Sequence, residues 1–246
     1  DDWQAINAFA GADIRFFSDF SDYFTLGNTV SVATNYRSNF SVVSAGNKLM
    51  QGLGNPAKVN NTETVPITIM YPQDIWIERR PALEFDQTRL DDTIYLPPRR
   101  KKDQKVSNAE LELARVLKLC TNLIRENPSS SVLLLARTGI AYGMSLWNFR
   151  KLLIQVASKA CGIDEKHLEV NIKAMTAHKS KGQEADTVII LKADNNQFPK
   201  IHPDNMLFAP FGVTIKNVLD EEQRLFYVAV SRAKQNLFIL TSKGKE

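Results

Sequence analysis

Cysteine is nearly missing from this chain. Two occur in 246 residues, Cys120 and Cys161, each within an apolar helical pattern and at no metal-ligand spacing. That argues against a disulfide scaffold or a thiolate metal site, and reads as reduced core thiols of a cytoplasmic protein. Histidine is scarce as well, and neither His167 nor His202 has a partner at metal or triad spacing. No apolar run approaches the roughly 18–20 residues that span a bilayer, and no signal peptide is visible. Also missing are a G-x-x-x-x-G-K-[ST] string and any D-E pair closing an apolar strand. The chain therefore carries neither a phosphate cradle of that kind nor its magnesium site. Charge of either sign is close to balanced, 31 Lys and Arg against 27 Asp and Glu. The formal +4 permits a polyanion partner without demonstrating one.

What is present is strand–helix alternation. Thr29–Thr34 reads as a strand, followed by an Asn35-Tyr36-Arg37-Ser38 turn and a helix over Asn39–Gln51. Val65–Met70 alternates in strand fashion. Ser107 and Glu110 have capping-box spacing at the head of a helix whose apolar side is Leu111, Ala114, Leu117, Leu119 and Ile124. Ser131–Ala136 is a short continuous apolar run, as expected for a strand buried on both faces. Leu146–Ala160 reads as a helix, Val170–Met175 and Thr187–Leu191 as strands, Asp220–Ala233 as a helix and Leu237–Thr241 as a last strand. Such alternation predicts a doubly wound parallel sheet. Two stretches interrupt it. Gln73–Gln104 is rich in proline and charge and contains the basic run Arg99–Lys102, which is solvated whatever its function. Asp194–Val218 holds three prolines and reads as an ordered loop.

Two strings place charge where a core has no use for it. The first is T-A-H-K-S-K-G-Q-E-A-D-T-V-I-I, Thr176–Ile190. After a strand, His178, Lys179, Ser180, Lys181 and Gly182 would lie at the C-terminal edge of a parallel sheet, where α/β folds bind ligands. Cations and backbone N–H groups grip phosphates there, and a carboxylate such as Glu184 can accept from a ribose hydroxyl. Taken alone, K-S-K-G is more often a solvated basic turn.

The second string is D-E-E-Q-R-L-F-Y-V-A-V-S-R-A-K, Asp220–Lys234. Asp220 and Gln223 have capping-box spacing, and Glu221 and Glu222 sit in the positive first turn. Leu225, Val228, Ala229 and Arg232 fall at i, i+3, i+4 and i+7, so Arg232 shares an apolar face, a costly place for an unpaired guanidinium. The plainer alternative is an arginine stabilising a helix C-terminus, a role that Lys234 can also fill.

Together the strings resemble the last two signature motifs of superfamily 1 helicases of the UvrD/Rep type, most closely the helicase IV branch. The resemblance covers nearly the whole chain, with tight motifs at residues 1–12, 35–38, 176–190 and 221–233. It implies a RecA-like, P-loop NTPase-type parallel sheet flanked by helices, serving as the second motor domain. By the match to motif V, Thr176, His178, Lys179 and Ser180 face single-stranded nucleic acid, while Gly182 and Glu184 face the nucleotide. By the match to motif VI, Arg232 is an arginine finger that stabilises charge on the γ-phosphate. Tyr227 and Arg224 pack or pair within the domain.

The opening D-D-W-Q-A-I-N-A-F-A-G-A resembles motif III without its leading glycine. Gln4 matches the residue that senses the γ-phosphate, and Phe9 the aromatic that stacks on a base. Asn7 stands where the stacking tyrosine is usual, and Ala10 where an arginine is usual. Without the resemblance, Trp3, Ile6 and Phe9 read as a helix face seeking a core. Asn35–Ser38 resembles motif IV, whose arginine, here Arg37, reaches the γ-phosphate from the opposite domain. Val132–Thr138 resembles motif IVa, where Arg137 either faces nucleic acid or ends the strand.

The resemblance further implies residues 1–27 as the tail of a first RecA-like domain and 28–246 as the second. Only about thirty residues separate Thr138 from Val170, so no large inserted helical domain is expected. Beginning without methionine, the chain reads as a piece of something longer. ATP with Mg2+ is the implied cofactor, its metal held by the first domain, and the fragment alone is expected to be inactive. Expected partners are single-stranded or partly duplex DNA, the first RecA-like domain, and RNA polymerase or DNA repair proteins, with no membrane. The expected activity is a 3′-to-5′ DNA helicase. Alternatives are an ATP-driven remodelling factor without processive unwinding and a degenerate nucleic-acid-binding module.

Overall fold

A computed structural model describes residues 2–6, 11–28, 30, 32–75, 108–202 and 214–243. A short 3-10 turn at Asp2–Gln4 precedes α1 (Arg15–Ser18) and α2 (Phe20–Tyr23). Then come β1 (Thr34–Asn35), α3 (Phe40–Leu49), β2 (Lys58–Val59), β3 (Thr68–Met70), α4 (Asn108–Glu126), β4 (Val132–Ala136), β5 (Ile140–Ala141) and β6 (Met144–Ser145). The chain continues through α5 (Leu146–Cys161), α6 (Glu165–Asn171), β7 (Ile172–Thr176), β8 (Ala185–Ile190), α7 (Ile215–Val230) and β9 (Ala233–Leu240).

Five strands form one sheet in the order β3-β9-β8-β4-β7, and every pairing in it is parallel. The short β1 and β2 pair separately in parallel, and β5 and β6 form a small antiparallel hairpin. This is the α/β, RecA-like parallel sheet flanked by helices. The interior strand β4, between β8 and β7, is buried at every position, and its alternation sorts the core into two layers. Val132, Leu134 and Ala136 pack with Leu117, Cys120, Phe149 and Leu153 from α4 and α5. Leu133 and Leu135 point the other way, toward Val42 of α3 and Leu225, Val228 and Ala229 of α7. Helices thus cover both faces, as parallel sheets require. Both cysteines carry free thiols, and burial pushes Cys120 up to about 12. Among the described residues, no helix is long and apolar enough to cross a membrane.

Several expectations shift. The strand expected over Thr29–Thr34 appears as β1 at Thr34–Asn35, with residues 29 and 31 outside those described. Val170 belongs to α6, a helix whose seven residues were too few to show a period, and the strand begins only at Ile172. The expected loop Asp194–Val218 gives up its last residues to α7, while residues 203–213 lie outside those described. Ser107 and Arg99–Lys102 also lie outside them. The expected Asp220–Gln223 capping box does not form, because α7 starts earlier, where Thr214 and Asn217 make a reciprocal box. Gly46 lets α3 and α7 come close, since a Cβ there would stand 2.9 Å from the Tyr227 ring.

Candidate functional site

The chain brings the charged strings together at two opposite ends of the sheet. β7 ends at Thr176, level with Ala136 at the end of β4, so Thr176–Lys179 lies at the C-terminal edge. β8 and β9 begin side by side, Ala185 against Ala233, so Glu184, Arg232 and Lys234 cluster at the N-terminal edge. The segment between crosses the sheet beneath α7, with Ala177 and Ser180 buried. Thus only the first part of the motif V string lies at the C-terminal edge expected for the whole.

At the N-terminal edge, the turn over Asn35–Ser38 is tied to the start of β9. The Asn35 side chain accepts from the N–H groups of Arg37 and Ser38, at 2.9 and 3.0 Å. Ser38 Oγ donates to the carbonyl of Ala233 at 2.6 Å, and Asn39 N–H donates to that of Lys234 at 3.0 Å. Asn39 also donates its amide to Gln235 and caps α3 by accepting from Val42 N–H. This docking places Arg37 Nε 2.7 Å from Glu184 Oε2, while Lys234 Nζ stands 2.8 Å from Oε1. The hydrogen bond from Lys234, with the charges of Lys234 and Arg37, holds the Glu184 carboxyl below its ordinary value.

Arg232 completes the cluster from inside. It lies beyond the helix end rather than on the expected helical face, because Ser231 is the C-cap. Its side chain is buried, folding back to donate Nε to Val228 O at 2.8 Å. Nη1 donates to Gln183 O at 3.2 Å and Nη2 to Ser231 Oγ at 2.9 Å. Burial first, then the nearby Arg37 charge, lowers its pKa to about 10. Arg232 thus performs the helix-end role for which Lys234 was a candidate, and Lys234 instead belongs to β9 and pairs with Glu184. Two cations therefore hold one carboxylate, and the buried Arg232 adds a third positive charge nearby, an excess that suits a polyphosphate. Gly182, at φ +84°, opens the crossover turn, and a Cβ built there meets nothing within 4 Å.

At the C-terminal edge, Thr176 Oγ1 accepts from Lys179 N–H at 3.4 Å, shaping the turn. Lys179 is exposed and His178 half-buried. Burial, then the charge of Arg137, lowers the His178 pKa, while Glu222 opposes the shift. Ser180 is fully buried and donates its hydroxyl to Ala177 O at 2.7 Å, so its side chain is not on the expected nucleic-acid face. Arg137 neither projects to solvent nor merely ends its strand. It forms a bidentate pair with Glu222, its Nη2 standing 2.5 Å from Oε1. Glu222 was expected only as a first-turn acid. The overlooked signal is its spacing, i, i+3 and i+7 with Leu225 and Ala229, which places it on the buried stripe.

Trp3 and Ile6 do find a core. The Trp3 ring meets Tyr227 edge-on, its centroid 5.1 Å away, and its indole N–H donates to Leu53 O. Ile6 packs with Val42 and Leu225. The carbonyl of Gln4 accepts from Lys181 Nζ at 2.9 Å, joining this opening segment to the crossover. Asn7, Phe9 and Ala10 lie outside the described residues. Among the described residues, no group of His, Cys, Asp and Glu could hold a metal ion.

The fold and these two edges define a RecA-like α/β domain. Residues 101–244 match the UvrD-like helicase C-terminal domain family, and the chain belongs to that family. It is similar to DNA helicase IV of Escherichia coli, 25% identical over 99% of this chain and 29% of that protein. A protein named "Probable DNA helicase" from Mycoplasma pneumoniae is 31% identical over 42% of this chain and 18% of its own length. The chain spans less than a third of the length of either relative.

Proposed function

We propose that the chain is the C-terminal motor domain of an ATP-dependent 3′-to-5′ DNA helicase. The observation that carries this reading is the meeting of Arg37, Glu184, Arg232 and Lys234 at one sheet edge, drawn from three distant segments. ATP fits there: Glu184 is available to a ribose hydroxyl, and Arg37 to the γ-phosphate. Arg232 supports the same phosphate as charge develops in the transition state. Gln4 reports the nucleotide's state from a first RecA-like domain ending near residue 27, which also holds Mg2+. Single-stranded DNA lies at the opposite edge on Thr176, His178 and Lys179, and by the match to motif III Asn7 and Phe9 are further candidates to contact it. Closure and opening of the cleft between the two domains shifts that hold by a small step. RNA polymerase and DNA repair proteins are further partners to test, in a cytoplasmic setting.

In the full-length protein, Arg232→Ala should cut ATP turnover roughly 100- to 1,000-fold while leaving nucleotide binding mostly intact. Near-normal turnover would remove Arg232 from the finger role. The isolated 246 residues should not hydrolyse ATP, and turnover at the full-length rate would show that no second catalytic half is needed.

A further inference from the structure

Arg137 leaves β4 at the point from which the nucleic-acid loop departs, because Ala136 O accepts from Ala177 N–H at 2.9 Å. Its Nε reaches both Glu222 oxygens, at 3.1 and 3.0 Å, and its Nη2 reaches Oε1. The two side chains are only 18% and 8% exposed. Glu222 Oε2 also accepts from Lys200 N–H at 3.0 Å, which pins the loop after β8 to the same carboxylate. His178 stands close enough for both charges to act on it. From Glu222, α7 runs about 12 Å to Val230 at 1.5 Å per residue. It then delivers Arg232, whose Nη1 holds Gln183 O beside Glu184.

We propose that the Arg137–Glu222 pair is the positioning link through which DNA on the Thr176–Lys179 loop sets the placement of Arg232 at the far end of the sheet. The inference rests on the helicase reading above. A planar guanidinium on a carboxylate fixes distance and angle together, which two apolar side chains in the same space do not. DNA seated on His178 and Lys179 shifts the end of β4. Two parallel hydrogen bonds carry that shift into α7, and the helix carries it to its last turn. Both residues lie at the edge opposite the Arg37–Glu184–Lys234 cluster, so they act through Arg232.

The test is ATP turnover of the full-length protein with and without single-stranded DNA, alongside DNA affinity and thermal melting. The double variant Arg137→Met with Glu222→Met removes both buried charges together, a replacement that folds tolerate well. It should melt at or above the parent's temperature and bind DNA as before, yet lose roughly tenfold of its stimulation by DNA. Arg137→Lys, which keeps the charge but not the fork, should show the same loss in part. It carries the test if the double variant does not fold. Full stimulation in either variant overturns the link. A matched fall in DNA affinity also overturns it, because it would make Arg137 a direct contact. A parent protein with no DNA-stimulated turnover refutes the helicase reading itself.

Discussion

The two ends of the sheet hold the same kinds of groups in opposite states. At the C-terminal edge, Arg137 and Glu222 face each other in a nearly dry, bidentate pair. At the N-terminal edge, Arg37, Glu184 and Lys234 are each more than a third exposed and share one carboxylate between two cations. A buried pair is expensive to break, since either partner left alone is an uncompensated charge. An exposed cluster is cheap to rearrange because water replaces each lost contact. The dry pair therefore suits a fixed joint and the wet one a site that must exchange partners. Arg232 stands between these extremes, buried like the first yet held, among the described residues, by carbonyls and a hydroxyl.

The strongest way to break the contrast is Arg137→Met. It leaves Glu222 buried with, among the described residues, only the Lys200 N–H as a hydrogen-bond partner, and should lower stability by about 3–5 kcal/mol, measured by denaturant unfolding. Replacing Glu222 by Met as well should restore all of that loss. A single variant as stable as its parent would mean that water already reaches the pair, and the two edges would then not differ in kind.

How much of this was legible in the sequence follows from what each element depends on. β4 and the central strands were readable because a fully buried strand is a continuous apolar run. The docking of Asn35–Ser38 beside Glu184 and Lys234 was not, because it depends on hydrogen bonds across nearly 200 residues of chain. The motif strings marked Arg37, Glu184 and Arg232 as residues of interest, but not which end of the sheet they occupy. That assignment needs the crossover beneath α7, and nothing in T-A-H-K-S-K-G-Q-E states its direction. The start of α7 is ambiguous in the sequence for a local reason: Asp220 and Gln223 have the right spacing, but Thr214 and Asn217 offer an equal signal six residues earlier.

A smaller effect separates the edges by pH. The folded state lowers the pKa of His178 from 6.5, chiefly through burial and then through Arg137. Below that ordinary value the unfolded chain therefore binds a proton that the folded chain resists, and stability falls with falling pH. The full contribution is present above 6.5 and is lost as pH descends toward the lowered folded value. His178→Gln should flatten this part of a plot of melting temperature against pH. An unchanged slope would place the titration elsewhere.

Glu184 should show the smallest effect on stability and the greatest sensitivity to salt. Its folded pKa lies below the ordinary 4.5, first through the hydrogen bond from Lys234. Its contribution is therefore present above that value and lost as pH falls through the lowered one. Because the carboxylate and both cations are exposed, Glu184→Gln should change stability by no more than about 1 kcal/mol. The change should shrink further in about 1 M salt, where the screening length is near 3 Å. The destabilisation of Arg137→Met should persist in that salt, since its cost is burial of a charge rather than loss of a screened attraction. If Glu184→Gln instead cost several kcal/mol in high salt, the N-terminal cluster would be a structural keystone, and Arg37 would be held too firmly to exchange Glu184 for a phosphate.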